Sequence, residues 1–337
     1  MEFLNQITND TQFTSLSKEV QEHILKYGKL AVGINTKVAN ERLPLTSSKF
    51  GGTPYLASNE QLPRDKENRP YLLLVQLNFA EIKQKVGQHP QLPSEGLLQI
   101  FIPAFDENHG YFDEKGHKTN GQIVRFITNF TDDMNKADIA DYNDMFYNSK
   151  DFIDKQTEIE RQIEFPELSR EDPDYYKKLC KRREDLINDL PYIQKFGIPW
   201  FPIYEEHELE FVPLLTNSRY DEECSNKLDD KLQQEENNYC KNNRTHHTLL
   251  GFSQGFVQGD PRYVVFYPNP VPQELKHFIV EGTADTAIFR SDLIVFLDLD
   301  SVNNMNWWSG GKAHFLIQED DLKAFNFQNM EYCIQST

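Results

Sequence analysis

Behind Ser17, the apolar residues Val20, Ile24 and Leu25 recur at helical spacing, which predicts a helix over residues 17–28 with Ser17 as its cap. A short strand over 30–34 follows. Residues 43–63 then read as ordered but irregular, punctuated by Gly51, Gly52, Pro54 and Pro63. The strongest strand signal is Tyr71-Leu72-Leu73-Leu74-Val75-Gln76-Leu77, nearly continuous in apolar residues, as expected of a strand buried on both faces. Asn78 is placed to cap a helical turn over 79–82. A second buried strand, 97–102, comes after Pro90, Pro93 and Gly96, and a third spans 122–128.

From about Asp132 to Leu190 the pattern becomes charged and helical in period. Asp172-Pro173 reads as a cap followed by proline at the first helical position. Tyr176, Leu179, Cys180, Leu186, Ile187 and Leu190 then keep helical spacing, with Arg183 the polar exception, until Pro191 stops the helix. Phe152, Ile159 and Ile163 predict a preceding helix, so the two form an antiparallel pair laid on, or projecting from, the sheet. Residues 217–245 are polar and carry Asp221, Glu222, Glu223, Asp229, Asp230, Glu235 and Glu236; they read as a long surface loop or a short exposed helix. Strands resume at 262–267, 293–299 and 313–317, and a helical segment at 320–325 closes the pattern.

A repeat runs through these elements. A glycine segment, a buried strand, a glycine and a second strand occur in that order as Gly51-Gly52, 72–77, Gly96 and a strand ending at Ile102. They recur as Gly251, 293–299, Gly311 and a strand ending at Ile317. The spacings differ, and the order fits a duplication.

Charge changes the picture more than length does. The 337 residues carry a net charge of −18. A surface of that sign repels phosphate backbones and anionic headgroups, which argues against nucleic-acid and membrane partners and favours a basic protein partner. The same acidity also serves solubility alone. Cys180, Cys224, Cys240 and Cys333 form no CxxC pair and match neither a zinc site nor a disulfide framework; only Cys224 and Cys240 share one polar segment. The N-terminus has no basic region followed by an apolar core, and no run approaches the ~18 apolar residues of a membrane span. A cytoplasmic location with free thiols is the expectation.

The chemistry searched for is sparse. His246 and His247 are adjacent, so on a strand they point to opposite faces and converge with His207 or His314 only if the fold brings them together. Asp298-Leu299-Asp300 resembles the start of a calcium loop but lacks its glycine and final glutamate, and reads as a strand end. No phosphate-cradling GxGxxG or GKS/GKT follows a strand, and no GxSxG elbow exists. Cys180 falls on an apolar helical stripe and reads as packing. The adjacent acidic pairs Glu205-Glu206 and Asp320-Asp321 read as solvated. Trp307 and Trp308 read as core in preference to a groove wall. No cofactor, metal ligand set or catalytic residue is indicated.

The segments Ser48-Lys49-Phe50-Gly51-Gly52-Thr53-Pro54, Leu74-Val75-Gln76-Leu77-Asn78-Phe79 and Leu92-Pro93-Ser94-Glu95-Gly96-Leu97 resemble the YwqG-like family, a bacterial family named as a domain of unknown function. So do His247-Thr248-Leu249-Leu250-Gly251-Phe252, Val257-Gln258-Gly259-Asp260-Pro261 and Trp307-Trp308-Ser309-Gly310-Gly311. The resemblance covers roughly residues 30–330, and its motif positions are Gly51, Gly52, Pro54, Gln76, Gly96, Gly251, Gln258, Trp307 and Gly311. Where the family usually has Trp-Gly-Asp-x-Gly, Trp308 and Ser309 stand in place of the Gly and Asp, so that aspartate has no counterpart. The usual Trp-Pro after the first glycine motif is also missing, with Leu62-Pro63 nearest to it.

The resemblance implies an α+β fold with mixed or antiparallel sheets, two related halves and a helical insertion. The expected division is a helical lead over 1–29 and one domain over 30–337, made of half one (30–130), the insert (131–195) and half two (196–337). It implies no reaction. Members often sit beside secreted polymorphic toxins, where some look like immunity proteins. The expected function is therefore non-catalytic binding of a protein partner, a basic toxin domain, through Asp221, Glu222, Glu223, Asp229, Asp230, Glu235 and Glu236. The alternative is a small-molecule enzyme or sensor with its site between the halves, using Gln76 and Gln258 beside aromatic walls. Oligomeric state is not legible.

Overall fold

Three helices lead the chain: α1 (Glu2–Thr8), α2 (Thr11–Thr14) and α3 (Lys18–Tyr27). Ser17 stands at the N-cap of α3, but its hydroxyl and amide both bind Glu235 instead of capping the helix. Leu25, expected on the buried stripe, is 44% exposed, and His23 takes the buried place. The computed structural model describes residues 2–111, 120–164, 173–188, 200–217, 228–253, 255–265, 271–280, 287–308 and 310–336.

In chain order there follow β1 (Lys29–Val38), β2 (Lys49–Phe50), β3 (Tyr71–Asn78), α4 (Phe79–Val86), β4 (Leu97–Pro103) and β5 (Ile123–Ile127). The long helix α5 (Lys136–Glu164) and α6 (Pro173–Asn188) come next, then β6 (His207–Thr216), α7 (Asp230–Asn242) and β7 (His247–Leu249). The last elements are β8 (Tyr263–Val265), β9 (Ala287–Phe289), β10 (Leu293–Asp300), β11 (Lys312–Gln318), α8 (Glu319–Lys323) and β12 (Glu331–Gln335). This is an α+β fold. Its frame is a ten-stranded sheet in the order β12-β11-β10-β7-β1-β6-β2-β3-β4-β5, antiparallel at every pairing, with β8 and β9 in a separate two-stranded sheet.

The apolar runs behave as expected. Every residue of β3 after Tyr71 is buried, and β4 and β11 are buried along nearly their whole length. Asn78 caps α4 by accepting from the Ala80 amide. Other elements differ from expectation. The strand expected over 30–34 runs to Val38, because β6 pairs with it through ten residue positions from Lys29 opposite Thr216 to Val38 opposite His207. The strand expected over 262–267 is Tyr263–Val265 and lies outside the main sheet, while residues 266–270 lie outside the described residues. Tyr176 is 47% exposed and leaves the apolar stripe of α6, whereas Leu179 is buried. Pro191 lies outside the described residues. The polar stretch 217–245 contains a helix, α7, packed on the helical lead through buried Glu236, which meets His23 of α3, and buried Tyr239, whose ring meets Phe13 of α2.

Outward from the central β1–β6 pair, the sheet has the same order on each side: a two- or three-residue strand, two long strands and an edge strand. Both first long strands carry a bulge, at Leu74 in β3 and at Phe296 in β10. Each bulged residue accepts a hydrogen bond from the chain leaving the short strand, Gly51 N to Leu74 O at 3.1 Å and Leu250 N to Phe296 O at 2.8 Å. At each exit two successive residues turn through positive φ, Gly51 and Gly52 on one side, Leu250 and Gly251 on the other.

Gly52 is needed for two reasons. Its φ is +68°, a region that costs a residue with a Cβ about 1–2 kcal/mol, and a Cβ there would press into the Glu206 carboxylate. Gly52→Ala should therefore lower stability by about 2–4 kcal/mol, read as a shift in the urea midpoint. An unchanged midpoint would show that the crossing relaxes freely.

Candidate functional site

Cross-strand partners in a sheet share a face. The registers therefore place Glu208, Lys49, Gln76, Gln99 and Arg125 in one row across β6-β2-β3-β4-β5. On the other side, Gly33, Thr248, Asp298, His314 and Cys333 form the matching row across β1-β7-β10-β11-β12. Each row puts polar side chains into otherwise apolar strands, where an unpaired polar group is costly.

The first row has internal partners at its centre, while Gln99 Oε1 and one Arg125 nitrogen are buried without a hydrogen bond and Glu208 reaches the surface. Gln76 Oε1 accepts from the Tyr55 amide and from Gln99 Nε2, and Gln76 Nε2 donates to the carbonyls of Leu45 and Ser47. Lys49 is fully buried; its Nζ donates to Glu206 Oε1 at 3.0 Å and to the Thr53 carbonyl at 3.1 Å. Burial lowers the Lys49 pKa, and the Glu206 carboxylate opposes that shift. Glu206, expected to be solvated, is instead buried and also accepts from the Leu43 amide and the Tyr147 hydroxyl.

The second row is charged. Asp298 Oδ2 accepts from Ser253 Oγ at 2.5 Å and lies 3.7 Å from Lys312 Nζ, which also meets Asp300 at 3.2 Å. His314 Nδ1 lies 3.3 Å from Asp298 Oδ1 without hydrogen-bond alignment, and both ring nitrogens of this fully buried histidine lack a hydrogen-bond partner. Burial pushes the Asp298 carboxyl upward, but His314, Lys312 and Ser253 outweigh it and hold it at about 2. A carboxylate that acidic stays ionised and is a poor base toward the Ser253 hydroxyl. On the opposite face, His247 accepts at Nδ1 from the Asp300 amide, which assigns its proton to Nε2; burial, with His246 adding to it, lowers its pKa to about 3. His207 and His247 do approach one another across the fold. Among the described residues, however, no group of three or more His, Cys, Asp or Glu is arranged to hold a metal.

A groove of about 920 Å³ opens beside the second row. Ser253 and Phe256, which line it, also touch Asp298 and His314; the Phe256 and His314 rings meet edge-on at 5.8 Å. Its other walls include Lys29 and Leu30 of β1, Leu293 to Val295 of β10 and Pro90 and Gln91 of the β3–β4 connection, with Asp260, Arg262 and Glu319 adding charges of both signs.

The acidic stretch is divided by the fold. Asp221, Glu222 and Glu223 lie outside the described residues. Asp229 is the N-cap of α7, accepting from the amides of Lys231 and Leu232, and with Asp230 faces solvent. Glu235 is bound by Ser17. Glu236 is buried between Asn217, which donates to it, and His23 Nδ1 at 3.0 Å, so these two glutamates fasten α7 to the helical lead.

The motif positions serve the frame. Pro54 and Gln76 are buried, the Gly96 carbonyl accepts from the Phe79 amide, Gly251 makes the second crossing, Gly311 packs beneath the Gln335 carbonyl, and Trp307 is core. Gln258 is exposed, with its side chain on the Ser336 carbonyl, and does not converge with Gln76. The residues that do converge, Lys49 with Glu206 and Asp298 with Lys312 and His314, are ones sequence reasoning passed over. For Asp298 and His314, as for Gln76 and Gln99, the readable signal is a polar residue flanked by apolar ones, as in Val75-Gln76-Leu77, Leu98-Gln99-Ile100, Leu297-Asp298-Leu299 and Ala313-His314-Phe315; Lys49, Glu206 and Lys312 carry none.

A continuous antiparallel sheet with two polar rows, one built around the internal Gln76 and Lys49 contacts and one bordering a groove, defines the class of protein. The chain belongs to the family described as "Domain of unknown function (DUF1963)", whose model matches residues 48–335. No curated protein matches it. Among the described residues, no helix is long and apolar enough to cross a membrane.

Proposed function

We propose that this chain acts in the cytoplasm by binding a basic toxin domain and holding it inactive, as an immunity protein does, without turning over a substrate. The observation that carries this reading is the net charge of −18. Such a field accelerates encounter with a basic partner and rejects acidic ones. Asp229 and Asp230 at the solvent-facing start of α7, with Asp221, Glu222 and Glu223 just before them, are the contact surface of this reading.

We also infer that the chain is a YwqG-like member of its family, built from related halves over 30–130 and 196–337 with the helices of 131–195 inserted. The matched order on the two sides of β1–β6, the matched bulges at Leu74 and Phe296 and the matched positive-φ exits support that inference.

Co-expression should rescue cells from a toxin encoded beside this gene, and the two proteins should copurify. Unchanged killing without copurification removes the reading. Asp230→Lys, which leaves the Asp229 cap in place, should slow association several-fold at low ionic strength, and the difference should vanish as salt rises, because exposed charges are screened over about 10 Å at 0.1 M. A salt-independent defect would mean that α7 contributes shape and not charge.

A further inference from the structure

The two polar rows are covered in different ways. Over the first row, the chain leaving β2 is tied down by its main chain: the Tyr55 amide donates to Gln76 Oε1, and the Tyr55 carbonyl accepts from Gln99 Nε2. Over the second row, the chain leaving β7 is tied by a side chain, the Ser253 hydroxyl on Asp298. Residues 255–259 then form a strap that lays the Phe256 ring edge-on against His314 at 5.8 Å.

The strap has hinges and a latch. Gly255 and Gly259 stand at its ends with φ of +156° and +104°, and nothing lies within 4 Å of where a Cβ would be, so both ends have room to turn. Between them one carboxamide holds three backbone groups. Gln335 Oε1 accepts from the Val257 and Gln258 amides at 3.1 and 3.2 Å, and Gln335 Nε2 donates to the Gly259 carbonyl at 2.7 Å. Gln335 is buried on β12, so the latch belongs to the sheet and not to the strap. Beneath Phe256, both His314 ring nitrogens and Asp298 Oδ1 make no hydrogen bond, although neither residue is more than 3% exposed. Buried polar atoms without partners disfavour the closed state. Opening supplies them with water or a ligand atom, while the Gln335 bonds are exchanged for bonds to water.

We propose that residues 255–259 are a lid, hinged at Gly255 and Gly259 and latched by Gln335, which lifts Phe256 from His314 and joins the Asp298–His314 pair to the groove. Ser253 and Phe256 already line that groove, so the movement extends an existing opening. The enlarged site has Phe252 and Phe289 as aromatic walls and a carboxylate beside an imidazole at its end. That lining suits a small molecule whose polar end donates to Asp298. The lid is independent of the toxin-binding reading, whose surface lies at the start of α7.

The test is reaction of the folded, whole chain with diethyl pyrocarbonate at about pH 8.5, where an ordinary imidazole is uncharged, mapped by mass spectrometry. His207 and His247, each 1% exposed, report opening of the whole fold. His314 should react at least about tenfold faster than either, because local opening outruns global unfolding. Gln335→Leu should speed His314 roughly a further tenfold by removing the latch bonds. Phe256→Ala, which keeps the latch, should speed it as well, with His207 and His247 unchanged in both variants. His314 reacting no faster than His207 and His247 in the wild type and in Phe256→Ala overturns the lid. A Gln335→Leu variant that accelerates all three histidines equally makes Gln335 a brace of the whole sheet and overturns it too.

Discussion

Glu206→Ala is expected to destabilise the protein by about 3–5 kcal/mol, the cost of leaving a buried charge without its partner. Lys49 has no exposed surface, and its ammonium has two acceptors, the Glu206 carboxylate and the Thr53 carbonyl. Removing the carboxylate leaves one neutral acceptor for a charge held inside the sheet. It also frees the Leu43 amide and the Tyr147 hydroxyl, which bind the other carboxylate oxygen. The double variant Lys49→Met with Glu206→Gln removes both charges and keeps an amide for Leu43 and Tyr147. It should recover to within about 1–2 kcal/mol of wild type, because a well-packed neutral pair is often as stable as a buried ion pair. Urea unfolding of Lys49→Met, of Glu206→Gln and of the double closes the cycle. A Glu206→Ala midpoint indistinguishable from wild type would place Lys49 in water and refute the buried ion pair.

What was legible follows from how each strand is buried. The strands β3, β4, β10 and β11 lie inside the sheet with both faces covered, so their apolar runs are nearly continuous and announce themselves. The strand β6 lies at the centre and was missed. It opens His207-Glu208-Leu209-Glu210 and contains Pro213, features of an edge or a loop. The structure explains both. Glu208 emerges at the surface to meet Lys37 at 3.0 Å, and β2 pairs with β6 only at His207 and Glu208, so Pro213 sits where the strand has no neighbour on that side. The polar rows were illegible for a different reason. Asp298 and His314 meet only through the register of β10 on β11, and Lys49 and Glu206 are 157 residues apart. Single-residue spacing carries no trace of such pairings, although a polar residue flanked by apolar ones marks Asp298 and His314.

Acid should unfold this protein well before its carboxylates are neutralised. Burial lowers the pKa of His89 and of His109 to about 4 and that of His247 to about 3, all from 6.5. The Leu30 carbonyl opposes the shift at His89, and Asp106 and the Trp200 backbone oppose it at His109. For a base with a depressed folded pKa, the unfolded chain takes up the proton first. Stability is therefore complete above pH 6.5 and falls as pH drops from there toward 3–4. At pH 5 each histidine costs about 2 kcal/mol, and the three together roughly 6 kcal/mol, which rivals the ~5–15 kcal/mol total stability of an ordinary domain. Asp298 acts in a lower window: its folded value of about 2 against 3.8 keeps its contribution intact until pH falls below 3.8. Urea midpoints measured at pH 7, 6 and 5 should drop steeply, with the free-energy slope approaching three protons near pH 5. His109→Leu, which packs an apolar side chain beside Trp307, should remove about one of those protons from the slope. A midpoint constant from pH 7 to 5 would mean that these three imidazoles reach water in the folded state, and the closed core described around them would be wrong.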